Sequence, residues 1–135
     1  MDVEIFKLVV DERFRFCSEL MFGTKDVEYS RNGDKHHNFK AQGLLDNTSP
    51  ERSLWGNWKK HIISIVDILD GIDAGKSVPS PEHIREKFSD MINYVVLLEG
   101  LLLERGKVFN GEPETIRKFY PGVFDFLVGW GKCDD

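Results

Sequence analysis

Residues 49–71 read SPERSLWGNWKKHIISIVDILDG, and residues 80–106 read SPEHIREKFSDMINYVVLLEGLLLERG. Both stretches begin with the same three residues, Ser-Pro-Glu, which signal the start of a helix. The serine hydroxyl can accept a hydrogen bond from a free backbone N–H, proline fits the first helical position, and the acid favours the positive helix end. The sequence therefore predicts one long helix from Ser49 to about Asp70, ended by Gly71, and another from Ser80 to about Arg105.

A third long helix is predicted at the start of the chain. Residues 2–22 carry apolar side chains at helical spacing, and Gly23 follows as a stop signal. The next segment, residues 25–48, is long for a connection in a compact domain, and such loops are often functional or contain a short helix of their own. We thus predict an all-α helical bundle of three main helices with a long first loop.

The C-terminal part of the sequence predicts less. A short helix is expected at residues 114–119, and the aromatic run around residues 124–130 is expected to pack on the domain or on a second subunit without a secondary-structure assignment. The chain is predicted to form a single domain over residues 1–135, with a core at 2–106 and a short aromatic C-terminal extension at 107–135.

Composition excludes several classes of function. The formal net charge of -5 argues against nucleic-acid binding, which needs a basic surface to replace counterions. No apolar run is long enough to span a bilayer, and the acidic N-terminus does not fit a signal peptide, so we expect a cytoplasmic protein without a membrane partner. The two cysteines, Cys17 and Cys133, form no metal-binding pair, and Cys17 is interpreted as a small core residue.

The two helices that start with Ser-Pro-Glu each carry an apolar stripe and a polar line. The stripes are predicted to face the core, and they comprise Trp55, Trp58, Ile62, Ile65, Val66 and Leu69 on the first and Ile84, Phe88, Ile92, Val95 and Leu102 on the second. Opposite the first stripe lie Lys60, Ser64 and Asp67, with His61 nearer the flank, where an ordinary solvated face is the alternative. The apolar run at residues 93–103 implies burial on every side, inside a bundle or at a subunit interface.

On the second of these helices, Glu86, Asp90 and Asn93 follow one another at i, i+4 and i+7. Two carboxylates four residues apart can share one divalent cation, because hard ions such as Mg²⁺ take oxygen ligands. The alternative is that both acids face water near a helix start, where the helix dipole favours them. The pattern leaves a metal or ligand site and a solvated face both open.

Motifs for other chemistries are missing from the sequence. It contains no phosphate-binding GxxxxGK[ST] loop, no GxGxxG, no HExxH and no GxSxG. The adjacent pair His36-His37 lacks a Cys or a third His at a ligand spacing, so zinc is not predicted there.

The residues nevertheless resemble a family when read together. EYSRNGDKHHNF at residues 28–39, SPERSLWGNWKKHIISIVDI at 49–68 and EKFSDMINYVVLLEGLL at 86–102 are similar to small phage and prophage proteins related to nucleotide-modification-associated domain proteins. More distantly, they resemble the MazG-like all-α NTP pyrophosphatases. The pattern of acid-Tyr, Asn-Phe, KHxxSxxD and EKxxDxxNY covers roughly residues 25–105.

This resemblance implies an all-α protein that forms a dimer or higher homo-oligomer and acts on a nucleotide, in the host cytoplasm if a phage encodes it. In such pyrophosphatases acidic helix residues hold Mg²⁺, which bridges the phosphates while water attacks. Carried over to this chain, the resemblance implies three sets of residues. They are catalytic Lys60, His61 and Asp67; ligand-binding Glu28, Tyr29, Asn38, Phe39, Lys60, Ser64, Asn93 and Tyr94; and metal-binding Glu86 and Asp90.

Two departures from the pyrophosphatase pattern leave three functions open. The EExxE signature is absent, and the ExxD signature occurs only as the wider Glu86–Asp90 spacing. The chain is therefore expected to be a Mg²⁺-dependent nucleotide pyrophosphohydrolase, a nucleotide-binding protein without turnover that sequesters a host defence signal, or an interaction module for a host protein.

Overall fold

A computed structural model describes residues 1–23 and 33–130 of the chain. All of the regular elements in this part are helical, as the all-α prediction requires. They are α1 (Val3–Phe22), α2 (His37–Leu45), α3 (Pro50–Asp73), α4 (Pro81–Arg105), a 3₁₀ turn (Val108–Asn110), α5 (Pro113–Phe119) and α6 (Pro121–Trp130). None of the described helices combines the length and apolarity that crossing a membrane requires.

Both Ser-Pro-Glu sequences start helices, as predicted. The Ser49 hydroxyl accepts a hydrogen bond from the Arg52 backbone N–H at 3.2 Å, and Ser80 caps α4 in the same way through the His83 N–H, also at 3.2 Å. The predicted end of α3 at Asp70 is wrong, because the helix continues to Asp73. A left-handed backbone is needed to close the helix, and Gly75 supplies it with φ +90°, whereas Gly71 lies inside the helix.

Two further helices lie in segments without a definite assignment from the sequence, although a short helix in the long loop was one of the alternatives. Helix α2 occupies part of the predicted long loop, and α6 covers the aromatic run. Short helices of this kind depend mostly on packing, which a pattern of a few residues does not reveal. The short helix expected at residues 114–119 is present as α5.

The chain divides into two compact units, residues 1–98 and 99–135. In the first unit, α2 packs against α3, and the Asn57 side-chain amide donates a 3.0 Å hydrogen bond to the Gln42 side chain between them. Helix α1 is joined to α4 through Arg13, which donates 3.0 Å hydrogen bonds to the Arg85 carbonyl and to the buried Ser89 hydroxyl. Cys17 is buried in this contact, as predicted.

In the second unit, the 3₁₀ turn and α5 and α6 pack on one another around the buried Ile116. The rings of Phe109 and Tyr120 meet edge to face at 5.5 Å, and the Tyr120 hydroxyl donates a 2.6 Å hydrogen bond to the Glu99 carboxylate. That hydrogen bond raises the pKa of Tyr120 above its usual value. Aromatic contacts therefore hold this short segment together.

The predicted burial of the apolar stripes on α3 and α4 is met only in part within a single chain, because about half of their residues, such as Trp58 and Ile92, are half-buried and the others are exposed. Leu69 is 55% exposed and Val95 is 47% exposed, and Val66, Phe88 and Leu102 are similar. Helix α1 exposes a further set of large apolar side chains that includes Phe6, Leu8 and Phe14. The helical periodicity was read correctly, but within the described residues no element covers these side chains.

Candidate functional site

A cavity of about 210 Å³ lies where α1, the start of α2 and the middle of α4 meet. Its walls combine two aromatic rings, two carboxamides, one lysine and one carboxylate with aliphatic side chains. We call it the aromatic cavity, and it is lined by Leu20, Met21, Lys35, Asn38, Phe39, Asp90, Asn93, Tyr94 and Leu97. Pockets with apolar walls and a few converging polar groups are typical of small-molecule sites.

Tyr94 is the centre of the aromatic contacts at this cavity. Its ring lies 4.8 Å from the His61 imidazole in a tilted arrangement and 6.4 Å from the Phe39 ring in an edge-to-face arrangement. The His61 Nδ1 atom lies 3.7 Å from the Asp90 carboxylate, which is within ion-pair distance. These four residues lie on three different helices, and the fold brings them into one connected group.

The segment that carries Asn38 and Phe39 is held in place by several polar contacts. The Asp34 carboxylate accepts hydrogen bonds from the His36 backbone N–H at 2.9 Å and from the Lys40 ammonium at 2.8 Å. The His36 Nε2 atom lies 3.1 Å from the Leu97 carbonyl oxygen of α4. These contacts fix the start of α2, so that Asn38 and Phe39 face the cavity from a defined backbone.

Two side chains just before α2, Asp34 and Lys35, determine the charge near the cavity. The hydrogen bond from the Lys40 ammonium, aided by that from the His36 N–H, lowers the pKa of Asp34 below its usual value, although partial burial acts in the opposite direction. The Lys35 ammonium hydrogen-bonds the Met21 carbonyl near the C-terminus of α1, where the helix dipole favours a cation. A positive charge is therefore held at the wall of the cavity.

Asn93 contributes a buried polar atom to the lining of the cavity. Its side-chain oxygen is buried and forms no hydrogen bond within the described part of the chain. A buried amide oxygen without a hydrogen bond costs free energy, so a small rotation of the side chain toward a ligand donor in the cavity would be favourable.

The predicted site residues are distributed over several places. Asn38, Phe39, Asp90, Asn93 and Tyr94 line the aromatic cavity, and His61 lies beside it. Lys60 and Glu86 are exposed, and they line neither this cavity nor a second cavity between α3 and α4. Glu28 and Tyr29 lie outside the described residues.

Ser64 and Asp67 line a second cavity of about 370 Å³ between the C-terminal part of α3 and the N-terminal part of α4. Two lysines and a histidine also face it, and we call it the basic cavity. Its lining residues are Ser64, Asp67, Ile68, Gly71, Lys76, Ser77, Pro79, His83 and Lys87. The predicted catalytic set is therefore not gathered at one point, because His61 lies by the aromatic cavity and Asp67 by the basic one.

The predicted metal pair, Glu86 and Asp90, lies one turn apart on α4. Glu86 is exposed, whereas Asp90 lies beside His61. Within residues 1–23 and 33–98, no three His, Cys, Asp or Glu side chains come close enough to share one ion. A Mg²⁺ site at Glu86 and Asp90 therefore stays a prediction, and no chemical step is assigned to a metal.

Sequence reasoning missed four residues that matter for these cavities. Lys35 and His36 were passed over because their importance comes from contacts with Met21 and Leu97, which are distant in sequence. Lys76 belongs to no motif, and Lys87 was given no role although it is the lysine of the EKxxDxxNY pattern. Only their spacing around the α3–α4 turn could have drawn attention to them.

No protein-family model, curated protein or solved structure matches this chain.

Proposed function

We propose that this chain binds a nucleotide or nucleotide-derived small molecule, with the base in the aromatic cavity. The single observation that carries the proposal is the convergence of Phe39, Tyr94, Asn38 and Asn93 on one small cavity from two separate parts of the chain. A stacking surface and hydrogen-bonding amides are the two features by which proteins recognise a base.

The size of the aromatic cavity supports a base as the bound part of the ligand. Sites for drug-sized molecules occupy about 300–1,000 Å³, whereas this cavity has about 210 Å³. A single planar ring system fits such a volume better than an entire nucleotide. The phosphates of a bound nucleotide would then lie outside the cavity.

The polar groups of the cavity suit a neutral heterocycle. Asn38 and Asn93 each offer a donor and an acceptor, which match the mixed edge of a base. Asp90 adds a carboxylate to the same wall, where it lies 3.7 Å from His61 Nδ1, and a carboxylate disfavours a phosphate placed directly beside it. With one ammonium, from Lys35, and one carboxylate, from Asp90, in its lining, the cavity has no excess of positive charge for phosphates, which favours a neutral base there.

Binding without turnover is the form of this proposal that the geometry supports best. Hydrolysis between phosphates needs an activated water and a group that neutralises the phosphate charge. Lys60 and Glu86 are exposed, and Asp67 lines the other cavity. The Mg²⁺-dependent pyrophosphohydrolase predicted from the resemblance remains the catalytic alternative.

Calorimetric titration of the protein with nucleosides and nucleoside phosphates, with and without Mg²⁺, tests the proposal. We expect binding that needs no metal and a ligand that is recovered intact after heat release. Phe39→Ala should weaken the binding, whereas Phe109→Ala, in the other unit, should not. Absence of binding for every base would refute the proposal, and release of pyrophosphate in the presence of Mg²⁺ would establish the catalytic alternative.

A specific observation favours a second property, self-association. Helix α1 leaves Phe6 56% exposed, Leu8 64% exposed and Phe14 58% exposed, and it forms one wall of an apolar groove with α4. Contiguous apolar surface of this kind is rare on stable monomers. We propose that a second copy of the chain covers this groove, as the expected homo-oligomer requires.

Sedimentation of the purified protein tests self-association directly. We expect a species of at least twice the 15.6 kDa chain mass, and Phe6→Ser with Phe14→Ser should shift it toward the monomer. A wild-type protein that sediments as a monomer at all accessible concentrations would contradict this second proposal.

A further inference from the structure

We infer that the basic cavity binds a phosphate group. The cavity lies between α3 and α4, and Lys76, Lys87 and His83 face it together with the hydroxyl-bearing Ser64 and Ser77. Ammonium groups, an imidazole and hydroxyls are the donors that proteins use for tetrahedral oxyanions. This inference stands apart from the nucleotide proposal, because the two cavities share no residue.

The turn between the helices fixes the position of Lys76. Two backbone hydrogen bonds of 2.9 Å close the end of α3, from the Gly75 N–H to the Ile72 carbonyl and from the Lys76 N–H to the Gly71 carbonyl. This is a Schellman motif, with Gly75 in the left-handed conformation that it requires. The backbone of Lys76 is therefore held in position by hydrogen bonds to the end of α3.

The side chain of Lys76 is also guided by Gly71. A Cβ atom at position 71 would lie only 3.2 Å from the Lys76 Cδ atom, so the aliphatic stem crosses α3 where glycine leaves room. The glycine that was predicted to end α3 instead allows this lysine to lie against the helix and line the cavity.

Helix α4 supplies the opposite wall. His83 and Lys87 lie four residues apart, so they share one face of the helix. His83 is in the first turn, and its backbone N–H is already used by the Ser80 cap. The positive end of a 25-residue helix and a lysine one turn further on both favour an anion at this place.

The lining of the basic cavity contains more basic than acidic side chains, which favours an anion. Asp67 is the single acid in the lining, against two lysines and a histidine. Neither Lys76 nor Lys87 takes part in an ion pair within the portion of the chain that the structure describes. In a chain with a net charge of -5, such a local excess of positive charge attracts anions to this cavity and not to the rest of the surface.

The phosphate group has two possible sources, free phosphate and the phosphate of a nucleotide. Titration of ¹⁵N-labelled protein at constant ionic strength separates them, because the backbone amides of Gly75, Lys76 and Ser77 report on the basic cavity alone. We expect inorganic phosphate to shift these signals saturably. A nucleoside monophosphate that shifts them together with Tyr94 identifies the nucleotide as the source, whereas shifts with free phosphate alone identify the free anion.

Lysine variants test whether these particular charges bind the phosphate. Removing both cavity lysines in the variant Lys76→Gln with Lys87→Gln should weaken phosphate binding by about tenfold or more, because charge-assisted hydrogen bonds are lost. Lys59→Gln with Lys107→Gln removes the same charge elsewhere and should change binding less than about twofold. Equal losses in the two variants, or no saturable shift in the wild type, would overturn the inference.

Asp67→Asn provides a test of opposite sign. Removing the one acid in the lining should strengthen the binding of inorganic phosphate, because a like charge is taken away. If Asp67 instead held a metal that bridged the phosphate, the same variant would weaken binding in the presence of Mg²⁺, and direct recognition by the lysines would be wrong. A nucleoside without phosphate should bind Asp67→Asn and the wild type equally, so failure of the nucleotide proposal is visible separately.

Discussion

The aromatic cavity and the basic cavity share helix α4 but are assembled over very different distances along the chain. The basic cavity uses residues 64–87 alone, which form the end of one helix, a turn and the start of the next. The aromatic cavity needs three segments, around residues 20, 38 and 94, that come together only when α1 and α2 dock on α4. One is a product of local structure, and the other is a product of tertiary packing.

This difference implies that the two cavities respond differently to damage. A helix hairpin with a Schellman motif and a serine cap keeps its geometry through hydrogen bonds close in sequence. The aromatic cavity depends on contacts such as His36 to Leu97, which span 61 residues. We therefore expect changes in the docking of α2 to disrupt nucleoside binding and to leave phosphate binding intact.

The largest effect is expected from Tyr94→Ala. Stacking of a base on an aromatic ring contributes about 1–3 kcal/mol, so nucleoside affinity should fall roughly 5- to 150-fold. Calorimetry with a nucleoside measures the loss, and titration with inorganic phosphate should show no change at the basic cavity. Tyr94→Phe, which keeps the ring, should retain most of the affinity. A similar loss in both variants would assign recognition to the hydroxyl and not to stacking.

A smaller effect on stability is expected from Gly43→Ala. A Cβ atom at this buried position would lie 2.8 Å from the Thr48 carbonyl oxygen and 3.1 Å from the Pro50 nitrogen, so α2 must shift against the start of α3. Overpacking of this kind costs about 1–3 kcal/mol. Urea denaturation measures the cost, and the Gly75 amide signal should stay in place while nucleoside binding weakens.

Gly56→Ala is the matched control for that substitution. Residue 56 lies within α3, and nothing is found within 4 Å of a Cβ atom there. Alanine in a helix interior is more favourable than glycine by about 0.5–1 kcal/mol, so this variant should be slightly more stable than the wild type. If Gly43→Ala were as stable as Gly56→Ala, the close approach of α2 to α3 would be wrong.

The smallest effect concerns pH. Asp34 has a pKa lowered by its hydrogen bond with Lys40, so the folded state binds this proton less readily than the unfolded state. The stabilisation is present above the ordinary aspartate pKa of 3.8 and is lost as the pH falls through the lowered value of the folded protein. Because the pair is partly exposed, its contribution should not exceed about 1 kcal/mol.

Comparison of the wild type with Asp34→Asn by urea denaturation at neutral and acidic pH measures this contribution. The difference in stability between the two proteins should shrink at low pH, and nucleoside binding should decline over the same range because Asp34 holds the start of α2. A difference that is independent of pH would show that the Asp34 carboxylate does not stabilise the fold through its charge.

The helix starts could be predicted because the signals are local. Ser49 and Ser80 bond to amides three residues away, so a tripeptide was sufficient to locate both N-termini. The end of α3 was misplaced because Gly71 and Gly75 look alike in a sequence, and the backbone torsion that distinguishes them is set by the turn into α4. Helix α2 was missed because its nine residues have little amphipathic pattern and depend on α3 for stability.

The candidate site was predictable in part. The resemblance picked out Asn38, Phe39, Asn93 and Tyr94 as neighbours in function, and the structure places them around one cavity. It also grouped Lys60 and Glu86 with them, although both are exposed away from the two cavities. A helical pattern tells which residues share a face, but it does not tell which other helix that face will meet.

The sequence by itself determined the all-α class and the places where the two longest helices start, since these depend on hydrogen bonds and side-chain periodicity within a few residues. Only the tertiary structure decided that Phe39 and Tyr94 meet and that Asp67 and Asp90 line different cavities. The physical reason is distance along the chain. Contacts between remote residues depend on how whole helices pack, and packing is a property of all their surfaces at once.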